Sequence, residues 1–484
     1  MKKRIGLILL AAVCLFTCFA GCKHSGREET PSGTDPGELN TSDPNSALSV
    51  PEHLFEEMKT VTVLTTNTQI REVIGEDEAD QKRDAIEESI YKRDRYTEQY
   101  LNVAIKVDSM NGMFEDRNNF LSSVENAVLG GVASWDLIGA YSMIPPALAL
   151  RGVLTDLRDT GYLDFNKAWW PQYMLDICTT NGKTYSMTGD ISSNLLFYMQ
   201  AVMFNISMVE SFGISPDDLY NMVLDGDWTL ERFLTMTETM SRDDGNGSWG
   251  DEDFYAIGME STVMLDSFYF ACGMTTVNED GSGKLIISED ILGEKVLDVF
   301  SMVYDAVNTY HSLSLKSLIQ NHKSVFQINT ILRFRYELLE EVTGYSVLPF
   351  PKYAKNDEYQ TLISAPHAQY CIPGNAGSPD ASSALMEVMG YASYAYVTPA
   401  IYEETMKLKY SMNDKASQMF DIMRSGATSD IGILNYMSFT AAPQSMFRNA
   451  IELGVTNWVS NYRNKFESSM MDALKDINGY YSKG

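Results

Sequence analysis

The stretch that opens at Lys59 constrains the fold most. It reads KTVTVLTTN, a β-branched run ending in polar residues. A long amphipathic segment follows from about Gln81 to Leu101, and VAIKVDS then supplies a second strand. Strand, helix and strand in that order form a β-α-β unit. A further helical stretch, NNFLSSVENAVLGG, leads into Trp135-Asp136-Leu137-Ile138-Gly139-Ala140, a short apolar strand closed by small residues. This alternation predicts an α/β architecture with a largely parallel sheet covered by helices. Roughly 430 folded residues exceed a single core and predict two domains or lobes.

The chain begins MKKRIGLILLAAVCLFTCFAGC, with Lys2, Lys3 and Arg4 ahead of an apolar run from Ile5 to Ala20. The run is short for a membrane span and reads as an export signal. Its end, Phe19-Ala20-Gly21-Cys22, resembles the lipobox of bacterial lipoproteins, with Phe19 where Leu is usual. The resemblance implies a signal peptide over residues 1–21, lipidation of Cys22 and an extracytoplasmic body held at the cell membrane. Residues Lys23 to Val50 are poor in large apolar side chains and rich in Ser, Thr, Pro, Gly and acids, so residues 22–55 are expected to form a flexible tether. No later stretch is apolar for long enough to span a bilayer.

Charge narrows the partners. The formal charge is −28, and the signal carries +3 with no acids, leaving −31 on the mature chain. Nucleic acid and anionic lipid are disfavoured, whereas a neutral ligand is not. Of six cysteines, Cys14, Cys18 and Cys22 belong to the signal, leaving Cys178, Cys272 and Cys371 in the body. An odd, widely spaced set is no disulfide framework and lacks zinc spacing, so buried small apolar roles are expected, with one disulfide at most.

Asn181-Gly182-Lys183-Thr184 invites a phosphate-loop reading, but the required earlier glycine is Ile177. Asn-Gly between two β-like runs predicts a tight hairpin instead. Ser215-Pro216-Asp217-Asp218 and Thr229 each start a helix, and Trp228 with Phe233 has the spacing of a hydrophobic staple. NLLFYMQAVMFN reads as a strand pair or one long strand, and ILGEKVLDVFSMVYDAVNTY and SLKSLIQNHKSVF as helical. The strand in GYSVLPFPKY ends at Pro349 and Pro351, and after YCIPGNAGS the chain is mostly helical. The acidic loop Asp243 to Asp253 places Asp244, Asn246 and Ser248 at alternating positions, as calcium ligands would be. Trp249 and Tyr255 stand where a calcium loop needs glycine and a bidentate acid, so a solvated loop is expected and no metal is assigned.

The order of SWDLIGAYS, GVLTDLRDTGYLDFNKAWW, NGKTYSMTGD, VMFNISMVESFGI, DLYNMVLDGDWTLERFLTM, VFQINTILRF, YSVLPFPKY and IPGNAGSPDASSALMEVM resembles the extracellular solute-binding proteins of ABC sugar importers, the family-1, maltose-binding-protein-like group. The resemblance implies a type II periplasmic-binding-protein fold: two α/β lobes joined by hinge strands, with a helical C-terminal part. It implies lobe 1 over 56–188 and 350–380 and lobe 2 over 189–349 and 381–484. A monomer would catch a carbohydrate between the lobes and deliver it to permease subunits, without a cofactor. Trp169 and Trp170 would pack the first lobe. Matching positions imply Asn67, Tyr141, Asp190, Glu260, Phe268, Tyr269 and Arg333 as ligand-binding residues. Such a cleft needs aromatic faces for the C–H side of a sugar and carboxylates or guanidinium groups for its hydroxyls.

An enzyme is the rival class. The chain has no G-x-S-x-G elbow and no H-E-x-x-H, and of its five histidines His24 and His53 fall in or beside the tether. Sixty-five acids leave a carboxylate pair for glycoside hydrolysis open. A sensory or adhesive surface lipoprotein is the other alternative.

Overall fold

The computed structural model describes residues 47–75, 84–132, 134–316, 318, 323–333, 344–411, 413–440 and 442–483. The signal 1–21, Cys22 and most of the tether lie outside them. Residues 50–55 already belong to the body: the Tyr100 hydroxyl donates to the Val50 carbonyl at 2.7 Å and Asn102 Nδ2 to the Phe55 carbonyl at 2.9 Å. The fold thus starts a few residues before the expected end of the tether.

Along the chain the strands are β1 (Lys59–Thr66), β2 (Val103–Met110), β3 (Leu137–Tyr141), β4 (Thr179–Thr180), β5 (Lys183–Thr184), β6 (Gln200–Asn205) and β7 (Tyr255–Met259). There follow β8 (Val277–Glu279), β9 (Leu285–Ile287), β10 (Ser324–Thr330), β11 (Tyr345–Leu348), β12 (Thr361–Leu362), β13 (Ala368–Cys371) and β14 (Ala427–Thr428). Two four-stranded sheets form, in the orders β13-β3-β1-β2 and β11-β6-β10-β7.

In the first sheet β1 runs parallel to β2 and β3, and β13 runs antiparallel to β3. The crossover between β1 and β2 carries the helix Ala85–Leu101; residues 81–83 of the expected segment lie outside the described residues. The Asp84 side chain accepts from the N–H groups of Ile86 and Glu87, and Glu87 returns the bond, a capping box that satisfies the helix's free donors. Asn102 ends it at φ 60°, the left-handed conformation asparagine tolerates. The buried face carries an ion pair besides Ile86, Ile90 and Leu101. Arg93, fully buried, donates to Asp94 at 2.8 Å and to the carbonyls of Glu72 and Val73 at 3.1 and 2.6 Å.

In the second sheet β6 is antiparallel to both β10 and β11, and β10 is parallel to β7. NLLFYMQAVMFN resolves into one short helical turn, Leu196–Tyr198, and a single strand, β6. The end of SLKSLIQNHKSVF opens β10 rather than a helix, because Ser324–Phe326 pair with β7 and β6. β11 is an edge strand, which lets it stop at Pro349. The two start signals hold. Ser215 and Asp218 form a capping box, and the Trp228 and Phe233 rings lie 4.9 Å apart, with the indole N–H donating to the Pro349 carbonyl at 2.9 Å.

Two segments join the sheets. They are bridged at their two ends, Met187 to Tyr370 and Met199 to Ile363, with turns and the helical turn Leu196–Tyr198 between. Glu72 clasps this junction: its buried carboxylate accepts from the Ser192 hydroxyl, from Asn194 Nδ2 at 3.0 Å and from the Ala368 N–H at 3.4 Å. A third connection is the helix Pro379–Ala392, which continues as π-helical turns over Ser393–Val397 and Ala400–Lys409. Pro399 interrupts these turns because it has no N–H to give the ladder.

The helix Pro379–Ala392 packs on Ala85–Leu101 of the first lobe. Trp169 and Trp170 complete that layer: a methyl on Gly390 would stand 2.7 Å from Trp169 Cδ1, and the Trp170 indole donates to Glu387 at 2.9 Å. Phe350 instead packs edge-on against Phe268 at 5.0 Å, and the Leu230 N–H donates to the Lys352 carbonyl at 2.8 Å. The resemblance implies 350–380 in lobe 1 and 381–484 in lobe 2. On these contacts we propose that 350–362 go with lobe 2 and 379–397 with lobe 1. No described helix is long and apolar enough to cross a membrane.

Candidate functional site

Several strands end in, or just before, polar or ionisable side chains. Tyr141 closes β3 with 6% of its surface exposed. Its phenol is pushed up to about 12, chiefly by burial and further by Tyr436, with Arg117 and Arg448 pulling the other way. Arg117 opens the helix Arg117–Leu129 of the first lobe, and Arg448 lies on Ala442–Glu452, which packs on the helices of the second. Tyr141 therefore feels guanidinium groups from both sides. Phe114, 46% exposed, meets Tyr436 edge-on at 6.0 Å, and the Arg117 guanidinium lies 4.1 Å above the Phe114 ring.

The other key group is Asp266, at the start of Asp266–Phe270. It is 1% exposed, and neither carboxylate oxygen has a hydrogen-bond partner among the described residues. Arg448 Nε stands 3.5 Å from Oδ1. Burial pushes the carboxyl up to about 7, with Arg448 holding it down and Glu452 pushing it further up. Thr65 Oγ1 in β1 and Asn329 Nδ2 in β10 are likewise buried and unpartnered among the described residues. Buried polar groups are ordinarily hydrogen-bonded, and a carboxylate that has one guanidinium beside it and no hydrogen bond among the described residues keeps capacity to accept a ligand's hydroxyls.

The expected site residues divide. Tyr141 lies in this grouping. Asn67 sits exposed just past β1, its amide on Asn111 Oδ1 at 2.7 Å, at the rim of the first lobe. Glu260 follows β7 and Arg333 follows β10, adjacent strands, and the guanidinium is lowered by burial while Glu260 opposes the shift. The structure thus brings Glu260 and Arg333 together.

Three of the expected residues have protein partners of their own. Phe268 and Tyr269 are core residues: Phe268 packs on Phe350, and Tyr269 packs on Phe270 and Phe447 while its hydroxyl donates to the Thr275 carbonyl at 2.9 Å. Asp190 faces a separate cavity of about 170 Å³ lined by Tyr173, Ser192, Thr398 and Arg424 among others. Its carboxylate accepts from the Thr398 hydroxyl at 2.6 Å, and burial pushes it up to about 6 against that bond and Arg424. Sequence reasoning missed Asp266 and Arg448. The only local trace is an acid in the first turn ahead of Phe268-Tyr269-Phe270.

Carboxylate oxygens of Asp243, Asp244 and Asp253 lie within 4.8 Å of one another in the acidic loop. They are already acceptors: Asp253 takes the N–H groups of Asp244 and Gly250, and Asp243 those of Gly245 and Gly247. Cys178, Cys272 and Cys371 are free, and burial pushes the first two thiols up to about 12.

The buried acids give a testable pH dependence. Asp190, Asp266 and Glu387 have folded values of about 6, 7 and 7 against ordinary values of 3.8, 3.8 and 4.5. Between those limits the folded chain holds more protons than the unfolded one, so stability falls as pH rises from about 4 to 7. Burial lowers His367 to about 4 from 6.5, which acts oppositely in an overlapping window but for one group against three. The unfolding midpoint of the ligand-free protein is expected to rise from pH 7.5 to 5.5 in calorimetry. A midpoint that falls over that interval would contradict the buried-acid assignment.

No family model matches the chain, and no curated protein matches it. Solved structures do. The galacto-N-biose/lacto-N-biose I-binding protein of the ABC transporter from Bifidobacterium longum, in complex with lacto-N-biose, is 11% identical with TM-score 0.58, covering 87% of this chain and 98% of that one. An ABC transporter solute-binding protein from Thermotoga lettingae, bound with α-D-tagatose, is 15% identical with TM-score 0.51, over 88% and 100%. The maltose/maltodextrin-binding domain from Bdellovibrio bacteriovorus, bound to maltotriose, is 12% identical with TM-score 0.52, over 86% and 99%. At these identities the likeness defines the fold, which is that of the type II periplasmic binding proteins.

Proposed function

We propose that the protein is the substrate-binding component of an ABC importer, capturing a neutral mono- or oligosaccharide between its lobes for delivery to permease subunits. The observation that carries this reading is the grouping of Arg117, Tyr436 and Arg448 around Tyr141, with Arg448 also paired at 3.5 Å to the buried Asp266 carboxylate, which has no hydrogen bond among the described residues. Aromatic faces and a buried acceptor are what a polyhydroxylated ring needs. A ligand touching both lobes stabilises the closed arrangement by its differential affinity. The solved structures of the same fold named above hold sugars, which supports the class of ligand. Binding without turnover is proposed: the site offers recognition groups from both lobes. Calorimetry against a glycan panel, with product analysis, tests the reading. Heat of binding for a glycan returned unchanged is expected. Binding confined to peptides, polyamines or metal ions, or formation of product, overturns it.

Retention at the membrane is proposed to run through a lipidated Cys22. Cys22→Ser is expected to leave the body folded and to release it, because the tether has no apolar anchor of its own. Fractionation after a high-salt wash checks this, and a variant that still pellets with membranes removes Cys22 from that role.

A further inference from the structure

The hairpin β4–β5 is fixed to the first lobe. Arg158 donates to Thr184 Oγ1 at 2.9 Å and Thr179 Oγ1 at 3.2 Å, and the Thr184 N–H donates to Asp156 Oδ1 at 3.1 Å. Asn181 and Gly182 form its tip at φ 48° and 73°, as a tight turn requires. That tip lands on the second lobe. The Asn181 N–H donates to Glu279 Oε2 at 3.0 Å, its side-chain amide to the Tyr481 carbonyl at 2.9 Å, and the Lys183 ammonium to the Lys483 carbonyl at 3.1 Å. Glu279 ends β8, and Tyr481 is the last residue of the helix Glu467–Tyr481.

The fit is stereochemically specific. Gly283, between β8 and β9 at φ 83°, has Asn181 Oδ1 2.6 Å from where a methyl would stand, so only glycine leaves the tip room. Tyr185 adds ring contacts to Tyr480 at 6.0 Å and Tyr481 at 5.8 Å. The lobes are thus tied at a place other than the segments that cross between them.

We propose that this hairpin is a pivot: it stays docked on the second lobe and confines the lobes to rotation about a line through Asn181 and the crossing segments. The reason is mechanical. Two bodies held at two separated places keep one easy rotation, about the line joining them. Any other rotation must break the three hydrogen bonds together and draw the tyrosine rings apart. No ligand enters this inference, so it stands or falls separately from the carbohydrate reading.

Spin labels at Leu129→Cys and Leu453→Cys, 70% and 60% exposed on the first and second lobes, report the interlobe distance in the full-length, ligand-free chain. The native thiols are poor labelling targets because burial raises all three. Asn181→Gly with Glu279→Ala removes two of the bonds while glycine keeps the turn. Removal of residues 480–484 is a second, independent variant. Circular dichroism confirms folding of each. The unaltered hairpin is expected to give one narrow distribution and both variants one at least twice as wide. An unchanged width in either folded variant overturns the pivot.

Discussion

Asp266→Asn is expected to weaken glycan capture by about 10- to 100-fold, the equivalent of losing a charged hydrogen-bond acceptor worth about 1.5–3 kcal/mol. Asparagine keeps the shape and removes the charge, so the change reports recognition rather than a cavity. The unfolding midpoint at pH 7 should not drop, because the cost of burying the charged carboxylate outweighs its ion pair with Arg448, as its raised titration shows. Affinity of the native protein should rise with pH as the carboxyl, held at about 7, deprotonates, since hydroxyls donate to the carboxylate and not to the acid. Calorimetry at several pH values, on native protein and variant, checks both statements. Undiminished binding by the variant would remove Asp266 from the site. Tyr141→Phe, which keeps the ring and deletes the hydroxyl, is expected to cost less, about 0.5–1.5 kcal/mol.

Arg93→Ala is expected to be the most damaging single change to stability, costing about 3–5 kcal/mol. The side chain is fully buried, and its loss leaves the buried Asp94 carboxylate without its paired charge, keeping the Gly75 N–H at 2.6 Å; burial already pushes that carboxyl up and Arg93 holds it down. The loss also strands the carbonyls of Glu72 and Val73. Those carbonyls flank the Glu72 side chain that clasps the crossing segments, so the damage should reach the junction as well as the helix layer. Denaturant unfolding of the variant measures it. Replacing both partners, Arg93→Met with Asp94→Leu, should recover much of the loss because no uncompensated charge is left buried. Equal destabilisation of single and double variants would show that the pair's geometry, not its charge, is what matters.

Local grammar carried much of this fold. Lys59–Thr66, the helix before Val103, the caps at Ser215 and Thr229, and the Asn181-Gly182 turn were all legible because periodicity, capping oxygens and left-handed turn positions act within a few residues. The pairing of Trp228 with Phe233 belongs to the same kind, four residues into a helix from its cap. The place of Trp169 and Trp170 came from the resemblance, since two tryptophans in a row suit a cleft as well as a core.

The site was legible only in part. Tyr141 came from the resemblance, as the residue after the Asp136-Leu137-Ile138-Gly139-Ala140 run. Phe268 and Tyr269 could not be separated from cleft residues, since aromatic side chains on a short helix look alike whether they meet a ligand or Phe350 and Phe447. The resemblance implies Asp190 at the crossing, but the partners of its carboxylate, Thr398 and Arg424, lie far along the chain.

By itself the sequence determined the α/β class, the parallel opening unit, the turns, the helix starts and the acidic character of the chain, because each follows from near neighbours or from composition. Tertiary structure alone decided which of 65 acids lose their water and which find donors there. Asp266 meets Arg448, Glu72 meets Ser192 and Ala368, and Asn181 meets Glu279 and Tyr481 only after the two sheets are built and joined. Desolvation and hydrogen bonding act through distances in space, and distant segments set those distances.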